Sequence, residues 1–333
     1  MDERMMYPSH EGINTFLRAP YVKISEVESG DYAVLGVPYD VTIGTRPGAR
    51  YAPNGIREQT PHFLYHLTAI DGEVIDVDSK RIMKSEMKPI LKDVGDLKVY
   101  PTSVEKTNES IEKAISEIVA RGATPVGLGG DHYVTGPLVT GFEDGYRKRM
   151  GRDVKIGYIH VDSHMDMYDN PELWGKWYQG SPARRVSELE SVDMKNMVWV
   201  GINGNTGLEG YLHAVNGGGT ILTACEIQRE GIRPVMEKAL SIAGDGVDCI
   251  YVTIDIDAVD TAYACGTGCY VYGGINAVQL LEIGSMLGEC DKIGGIDLVE
   301  VSPPLDPSGN TCKLAASTLI NFLKPRLFEF REG

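Results

Sequence analysis

Short apolar runs recur along the chain and alternate with segments of helical periodicity. Runs at residues 32–37, 124–128 and 155–161 are typical of buried strands, since each is continuous, short and bounded by Gly, Pro or charged residues. Between the first two, apolar residues at helical spacing over 111–119 predict an amphipathic helix. Strands that alternate with helices imply βαβ units. We therefore predict an α/β fold, a three-layer αβα sandwich around a mostly parallel sheet.

The same pattern places the remaining elements and the domain limits. Thr102 and Glu105 have the spacing of a capping box, and Asn276 is a predicted helix cap. Residues 1–30 have no clear period and are predicted to form an N-terminal arm that docks on a neighbouring subunit. Residues 31–333 are predicted to form a single domain. Further strands are predicted over 197–201, 248–255 and 292–301, and further helices over 133–149, 229–243, 276–287 and 311–323.

One strand end carries an unusual density of ligand-type side chains. Asp162, His164 and Asp166 occupy alternate positions directly after the run at 155–161. If this stretch is extended, the three side chains point to the same side. Two carboxylates so close together repel each other unless a cation lies between them. The alternative is a strand end with solvated acids and a hydrogen-bonded histidine.

Two further strand ends match the first. Asp255 and Asp257 follow an apolar run, and His132 follows Gly129-Gly130-Asp131 after another. Ligands in parallel α/β sheets gather at the carboxyl ends of strands, so these ends are expected to converge. Four carboxylates and two imidazoles carry too much negative charge for one ion and suit two divalent ions with bridging carboxylates.

Composition narrows the functional classes. The chain of 333 residues has a formal net charge of −15, which argues against nucleic acid as a partner and fits a small cationic substrate. Its apolar runs are shorter than a membrane span, and its first residues lack the apolar core of a signal peptide, so we expect a cytoplasmic protein without a membrane partner. The six cysteines include no Cys-x-x-Cys pair and are expected to be reduced.

The motifs resemble, in order and spacing, the metal signatures of the ureohydrolase family, which includes arginases and agmatinases. The likeness rests on Gly129-Gly130-Asp131-His132, on residues 162–166 and on residues 255–260. Blocks at 36–40, 46–50, 266–268 and 297–306 extend it, so that it covers roughly residues 30–325. The resemblance implies an arginase-like fold, two manganese ions (Mn²⁺), and hydrolysis of a guanidino or related C–N bond. It also implies a homo-oligomer, commonly a trimer or hexamer.

The resemblance also implies roles for single residues. His132, Asp162, Asp166 and Asp255 would bind one ion, and Asp162, His164, Asp255 and Asp257 the other. Glu300 matches the acid that binds the substrate guanidinium. The chemistry is consistent with this, because a guanidinium is a poor electrophile and needs a strong nucleophile such as a metal-bridging hydroxide. Asp166 would accept a hydrogen bond from that hydroxide and pass a proton to the leaving amine.

The predicted pocket loops depart from the family pattern. Many relatives have a histidine where this chain has Gln179, and many have an arginine at Asn203. Gln179, Asn203 and Trp177 are therefore candidate substrate-binding residues beside Glu300. Aromatic residues near these loops favour either an aromatic wall for a small cation or simple packing; they are Tyr168, Trp174, Trp177, Tyr178, Tyr270 and Tyr272.

These departures leave the substrate, the metal and the assembly open. Agmatine, a guanidino acid, guanidine and a substituted guanidine or biguanide are all candidate substrates that would release urea or a urea-like product and an amine. Nickel (Ni²⁺) is the alternative to Mn²⁺. Two other functions compete with this one: a formimino or amide hydrolase on the same fold, and a non-catalytic or partner-dependent subunit of a hetero-oligomer.

Overall fold

A parallel sheet of eight strands forms the centre of the computed structural model, which describes residues 12–67 and 72–332, without the side chains of residues 65 and 66. The strands in chain order are β1 (Tyr32–Gly36), β2 (Glu73–Asp76), β3 (Arg81–Lys84), β4 (Leu91–Asp96), β5 (Thr124–Leu128), β6 (Ile156–Val161), β7 (Val192–Ile202), β8 (Thr220–Thr223), β9 (Cys249–Asp255), β10 (Ile293–Val299) and β11 (Phe330–Glu332). The large sheet has the order β4-β1-β5-β10-β9-β6-β7-β8, and β11-β3-β2 form a small antiparallel sheet.

Helices cover both faces of the large sheet. They are α1 (Ala52–Gln59), α2 (Pro61–Leu67), α3 (Val104–Ala120), α4 (Thr135–Met150), α5 (Pro182–Val186), α6 (Leu208–Asn216), α7 (Ala224–Glu230), α8 (Ile232–Ala243), α9 (Ala277–Glu289) and α10 (Asn310–Leu327). Among the described residues, no helix combines the length and the apolar character that crossing a membrane requires.

A hydrophobic core lies on each face of the sheet, between the sheet and the helices that cover that face. In β9, Ile250, Val252 and Ile254 point into the core that α8, α9 and α10 cover. Cys249 and Tyr251 alternate with them and point into the core that α3 and α4 cover. A strand buried on both faces reads as a continuous apolar run, which is why the sequence indicated these strands. The predicted three-layer αβα architecture is confirmed.

The order of the four central strands determines where the site lies. The strands β5, β10, β9 and β6 are adjacent and parallel, although the chain visits them as β5, β6, β9 and β10. Their carboxyl ends therefore meet at one edge of the sheet. This edge is where ligands bind in open α/β sheets.

Several local expectations need correction. Ser103, and not Thr102, caps α3, because the Ser103 side chain accepts the hydrogen bond from the Lys106 backbone N–H. The single helix predicted over 229–243 is two helices, α7 and α8, because Gly231 between them has φ 86°. The sequence pattern also missed α5, α6, β8 and the small sheet, which are short elements with little periodicity.

The described part of the N-terminal segment packs on the domain itself. Phe16 and Leu17 are fully buried in the core that also contains α1 and α10. The backbone N–H of Phe16 donates to the Asp93 carboxylate in β4 at 2.8 Å. The division into an arm over 1–30 and a domain over 31–333, and docking of the arm on another subunit, stay predictions; residues 1–11 lie outside the described residues.

Arg57 of α1 links this segment to the sheet and gives a test of the fold. Its guanidinium is buried, donates twice to Asp93 at 2.9 Å and once to Asp96 at 2.6 Å. Arg57→Ala leaves the buried Asp93 charge uncompensated and is expected to lower the free energy of unfolding by about 3–5 kcal/mol in urea titrations. Arg121→Ala, which removes an exposed pair with Glu117, is the control and should cost less than about 1 kcal/mol. Equal losses in the two variants would contradict the structural role of Arg57.

Candidate metal centre

Three carboxylate oxygens surround one imidazole nitrogen at the carboxyl ends of β5, β6 and β9. The Nδ1 atom of His132 lies 3.1 Å from Asp162 Oδ2, 3.0 Å from Asp166 Oδ2 and 3.1 Å from Asp255 Oδ2. All four residues are buried. Donor atoms that converge in this way have the spacing expected of ligands around a common cation.

A second group of donors lies beside the first and shares Asp162 and Asp255 with it. The Nδ1 atom of His164 is 3.3 Å from Asp162 Oδ1 and 3.2 Å from Asp257 Oδ2. Asp162, Asp255 and Asp257 offer a further set of oxygens close enough to hold one ion. The structure therefore brings together all six residues that the sequence proposed as metal ligands.

Turns, and not the extended backbone that the sequence suggested, direct these carboxylates. Asp162 Oδ1 accepts the His164 N–H at 2.6 Å, and Asp255 Oδ1 accepts the Asp257 N–H at 2.7 Å. Each bond bends the chain directly after its strand and leaves Oδ2 free to face His132. The Ser163 hydroxyl donates to the Asp257 carbonyl at 2.7 Å and joins the two turns. The expectation of an extended stretch was wrong, but its consequence, convergence of the side chains, holds.

Glu300 follows β10 and lies against the same cluster. Its Oε1 accepts the His132 backbone N–H at 2.8 Å, and its own N–H donates to the Gly130 carbonyl at 2.9 Å. Gly130 has no room for a side chain, because a Cβ there would lie 1.8 Å from the Tyr39 carbonyl oxygen. Gly130 thus lets the segment after β1 pack against the end of β5. Its neighbour Gly129 allows the close approach to β10, because a Cβ there would lie 2.4 Å from Val299 Cγ1.

Burial and mutual repulsion dominate the electrostatics of the cluster. Burial, together with the negative charge on Asp162, raises the pKa of Asp255 to about 6. Burial also raises the pKa of Asp257 and of Glu300 well above the ordinary value, with Asp255 as the second cause for both. The pKa of Asp162 is shifted the other way. Burial alone would raise it, but contacts with three imidazoles hold it well below the ordinary value. The cluster therefore holds more carboxylate charge than its histidines compensate.

Several buried atoms of this cluster lack a hydrogen-bond partner among the described residues. They are His132 Nδ1, Asp162 Oδ2, Asp257 Oδ1 and Glu300 Oε2. An unsatisfied polar atom in a protein interior costs free energy, so such atoms are normally occupied by a ligand, an ion or water. Oxygen and imidazole donors without a partner fit divalent first-row cations.

A cavity of about 160 Å³ opens over the cluster. This volume is below the roughly 300–1,000 Å³ of pockets for drug-sized ligands and fits a small molecule. Its floor contains His132, Asp166 and Glu300. Its walls consist of neutral side chains and backbone, together with the thiol of Cys269; the outer wall residues are Tyr168, Tyr178, Gln179, Asn205 and Thr206.

The three candidate substrate-binding residues other than Glu300 lie in different places. Gln179 lines the cavity, and its Oε1 accepts the Gly44 N–H at 2.9 Å, so its amide NH₂ is the group left for a ligand. Asn203 lies outside the lining and donates to the Tyr272 carbonyl at 2.7 Å. Trp177 is also outside the lining, because its indole packs edge-on against Tyr133.

The aromatic residues near the loops divide in the same way. Tyr168 and Tyr178 line the cavity, and Trp174 stacks on Tyr178 from behind with ring centroids 6.2 Å apart. Tyr270 lies outside the lining, beneath the guanidinium of Arg46. Among the described residues, the aromatic part of the cavity lining thus consists of two tyrosines.

Sequence reasoning missed four residues at the site. The His160 ring stacks on His132 with centroids 4.8 Å apart, and its Nε2 lies 2.9 Å from Asp162 Oδ2. Cys269 Sγ lies 3.7 Å from His164 Nε2, and Asn205 and Thr206 line the cavity. Two of them gave a signal: His160 is a histidine inside an apolar strand directly before the ligand motif, and Cys269 lies with Cys265 in a Gly-rich loop.

Fold and donors together define the class: a three-layer α/β protein with a carboxylate and imidazole cluster at the carboxyl edge of its parallel sheet. Residues 30–324 match the family described as Arginase family. The chain belongs to this family and is a hydrolase of C–N bonds other than peptide bonds.

Relatives match along almost the whole chain. The mitochondrial guanidino acid hydrolase of Homo sapiens is 35% identical over 94% of this chain and 82% of its own length. The mitochondrial agmatinase of Gallus gallus is 32% identical over 94% of this chain and 85% of its own length. The solved structure of proclavaminate amidino hydrolase from Streptomyces clavuligerus has a TM-score of 0.78 and 28% identity, and the match covers 96% of this chain and 98% of that one.

Backbone strain at the site gives a testable prediction. Asp166 has φ 48° and Glu300 has φ 62°, a region that costs residues with a Cβ roughly 1–2 kcal/mol. Glu300→Gly is therefore expected to be more stable to urea than Glu300→Ala by about 1 kcal/mol, both measured without added metal.

The same pair of substitutions at Val299 is the control, because Val299 lies in the strand β10. The Val299→Gly variant should be less stable than the Val299→Ala variant by roughly 0.5–1 kcal/mol. If Ala were the more stable substitution at position 300 as well, Glu300 would not be strained.

Proposed function

We propose that this chain hydrolyses a C–N bond of a small guanidino compound and releases urea or a urea-like product and an amine. The observation that carries the proposal is the convergence of three carboxylate oxygens within 3.0–3.1 Å of His132 Nδ1, on the floor of a cavity that also contains Glu300. The names of the human and chicken relatives, a guanidino acid hydrolase and an agmatinase, support the substrate class.

The six donors fit two divalent ions. His132, Asp162, Asp166 and Asp255 would hold one ion, and Asp162, His164, Asp255 and Asp257 the other. Mn²⁺ is our first choice, and Ni²⁺ also suits this mixture of oxygen and imidazole donors. When bound, such ions would lower the pKa of water and so supply a nucleophile at neutral pH.

The residues of the chain bind and orient the substrate. Glu300 Oε2 lacks a hydrogen-bond partner among the described residues, so it is available to a guanidinium N–H. The positive charge of a guanidinium would offset the burial of this carboxylate and would form a charge-assisted hydrogen bond. Asp166 lines the same cavity as Glu300. It would accept a proton from the attacking water and deliver it to the leaving nitrogen.

The outer wall favours a guanidino acid over agmatine. Within the described parts of the chain, none of the lining residues is Lys or Arg, and the acidic ones belong to the floor. The ammonium group of agmatine would therefore lack a carboxylate. The carboxylate of a guanidino acid can accept hydrogen bonds from the Gln179 and Asn205 amides and the Thr206 hydroxyl. Guanidine itself needs neither contact and is our third candidate.

Activity assays test the proposal directly. EDTA-treated protein resupplied with Mn²⁺ or Ni²⁺ is expected to release urea from a guanidino acid, agmatine or guanidine, with a biguanide included in the same screen. Glu300→Gln should lower kcat/KM about 10²–10³-fold, because the guanidinium loses its charged partner. Asp166→Asn should lower kcat by about 10²–10⁴-fold through loss of proton transfer.

Glu143→Gln is the matched control, because Glu143 is buried in α4 and its carboxylate accepts from the Ser191 N–H away from the cavity. It should leave kcat/KM unchanged. Two bound ions without urea release from any of these compounds would refute the guanidino substrate. Such a result would favour a formimino or amide substrate or a requirement for a partner subunit.

Gln179 provides a test of the substrate tail. Gln179→Glu keeps an oxygen for the Gly44 N–H but replaces the amide donor with a negative charge. The KM for a guanidino acid is expected to rise about 10-fold, equivalent to one hydrogen bond of roughly 1.4 kcal/mol, and the KM for agmatine to fall. Steady-state kinetics with both substrates measure this. A parallel change in the two KM values would show that Gln179 does not contact the tail.

We also propose an assembly and a location for the protein. We retain a homo-oligomer, a trimer or hexamer, as the first expectation, and a hetero-oligomer as the second. The outward face of α6 is apolar and exposed through Leu208, Tyr211, Leu212 and Val215, which suits a subunit contact. Light scattering measures the mass. We retain the cytoplasm as the location, although the human and chicken relatives are named as mitochondrial.

A further inference from the structure

A buried carboxylate outside the proposed donor set lies beneath the metal centre. Asp297 of β10 is fully buried, and its described partners are all hydroxyl groups. The Tyr251 hydroxyl donates to it at 2.8 Å, that of Thr135 at 3.2 Å, and that of Thr253 at 2.5 Å. A carboxylate that faces three hydroxyl groups is held in one orientation, and the Thr135 and Thr253 hydroxyl oxygens also lie 3.1 Å from each other.

The sheet register places this carboxylate beside one particular threonine. Asp297 of β10 is paired with Thr253 of β9, and with Gly127 of β5 on its other side. A Cβ at position 127 would lie 2.8 Å from the Asp297 Cβ, so glycine makes room for the acid. Thr253 lies two residues before Asp255 and faces the same side of the sheet. The register therefore builds a polar connection that runs from β10 towards the donor cluster.

The donor and acceptor roles of the Thr253 hydroxyl determine which nitrogen of His132 carries a hydrogen. The Nε2 atom of His132 lies 3.1 Å from Thr253 Oγ1. The Thr253 hydroxyl has a single hydrogen, and Asp297 Oδ1 accepts it. Thr253 Oγ1 must then accept from His132, so Nε2 carries the hydrogen. A neutral imidazole protonated at Nε2 presents its Nδ1 lone pair to Asp162, Asp166 and Asp255, which is the state that binds a metal ion.

We propose that Thr253 and Asp297 are positioning residues that fix the tautomer and ring orientation of His132 for one of the two metal ions. The inference rests on the metal centre of the proposed function. The other histidine of the centre is held differently, since His164 Nε2 faces the thiol of Cys269 at 3.7 Å, on the half-exposed side of the cluster. Loss of the Thr253 hydroxyl should therefore weaken one ion and spare the other.

Metal titration of the purified full-length chain tests this. EDTA-treated protein is titrated with Mn²⁺ by calorimetry, and bound metal is counted by elemental analysis. Thr253→Val is expected to weaken one of the two ions about 10–100-fold, the usual effect of losing the hydrogen-bond partner of a metal-binding histidine. Thr253→Ser keeps the hydroxyl and should bind both ions as the unmodified protein does. Asp297→Asn should weaken the same ion, but less.

Thr318→Val is the matched control, because Thr318 is fully buried in α10 and its hydroxyl donates only to the Leu314 carbonyl. It should leave both ions unchanged. Urea unfolding without metal verifies that each variant folds, and Thr253→Ala replaces Thr253→Val if the latter does not. Two unchanged affinities in Thr253→Val, or equal losses at both ions, would overturn the positioning role alone. An unmodified protein that binds no Mn²⁺ or Ni²⁺ would overturn this role and the two-ion function together.

Discussion

Repulsion among buried carboxylates is the constraint on which this structure depends. Asp162, Asp166, Asp255, Asp257 and Glu300 lie within one small volume at the edge of the sheet, and each is almost fully buried. Moving several like charges out of water is costly unless opposite charge accompanies them. Three imidazoles offset part of it, and a pair of divalent cations would offset the remainder. The fold is therefore best understood as a scaffold that forces these carboxylates together at the place where the two proposed cations would bind.

The scaffold works through short connections between neighbouring strand ends. The Asp162 and Asp255 turns are joined by Ser163, and Glu300 is joined to both His132 and Gly130 by hydrogen bonds. Two residues of the floor, Asp166 and Glu300, adopt the left-handed backbone angles that glycine, and to a lesser extent Asn and Asp, tolerate better than other residues do. Strain of this kind persists only where the surroundings dictate the conformation, and here the carboxylates that it aims are those with proposed roles in catalysis and substrate binding.

The walls of the cavity are built from different structural elements than its floor. The floor is fixed by the sheet, whereas the wall comes from loops that meet over it, as in many enzymes whose loops vary on a common scaffold. Gln179 illustrates the difference. It joins two loops through Gly44, while its amide group remains available to a ligand. Chemistry and substrate choice can thus change independently in this architecture.

The sequence by itself determined the fold class and the six donors. Short segments of the sequence carry both signals. A strand buried on two faces is a continuous apolar run, and the ligands at the end of a strand follow it directly in the chain. Tertiary structure alone decided how the donors meet, because the order β5-β10-β9-β6 and the Ser163 hydrogen bond that joins the turns at Asp162 and Asp255 are contacts between distant segments. It also separated Gln179, which lines the cavity, from Trp177, which packs on Tyr133. The two lie two residues apart in one loop, and only the loops and helices packed around them determine which of them faces the cavity.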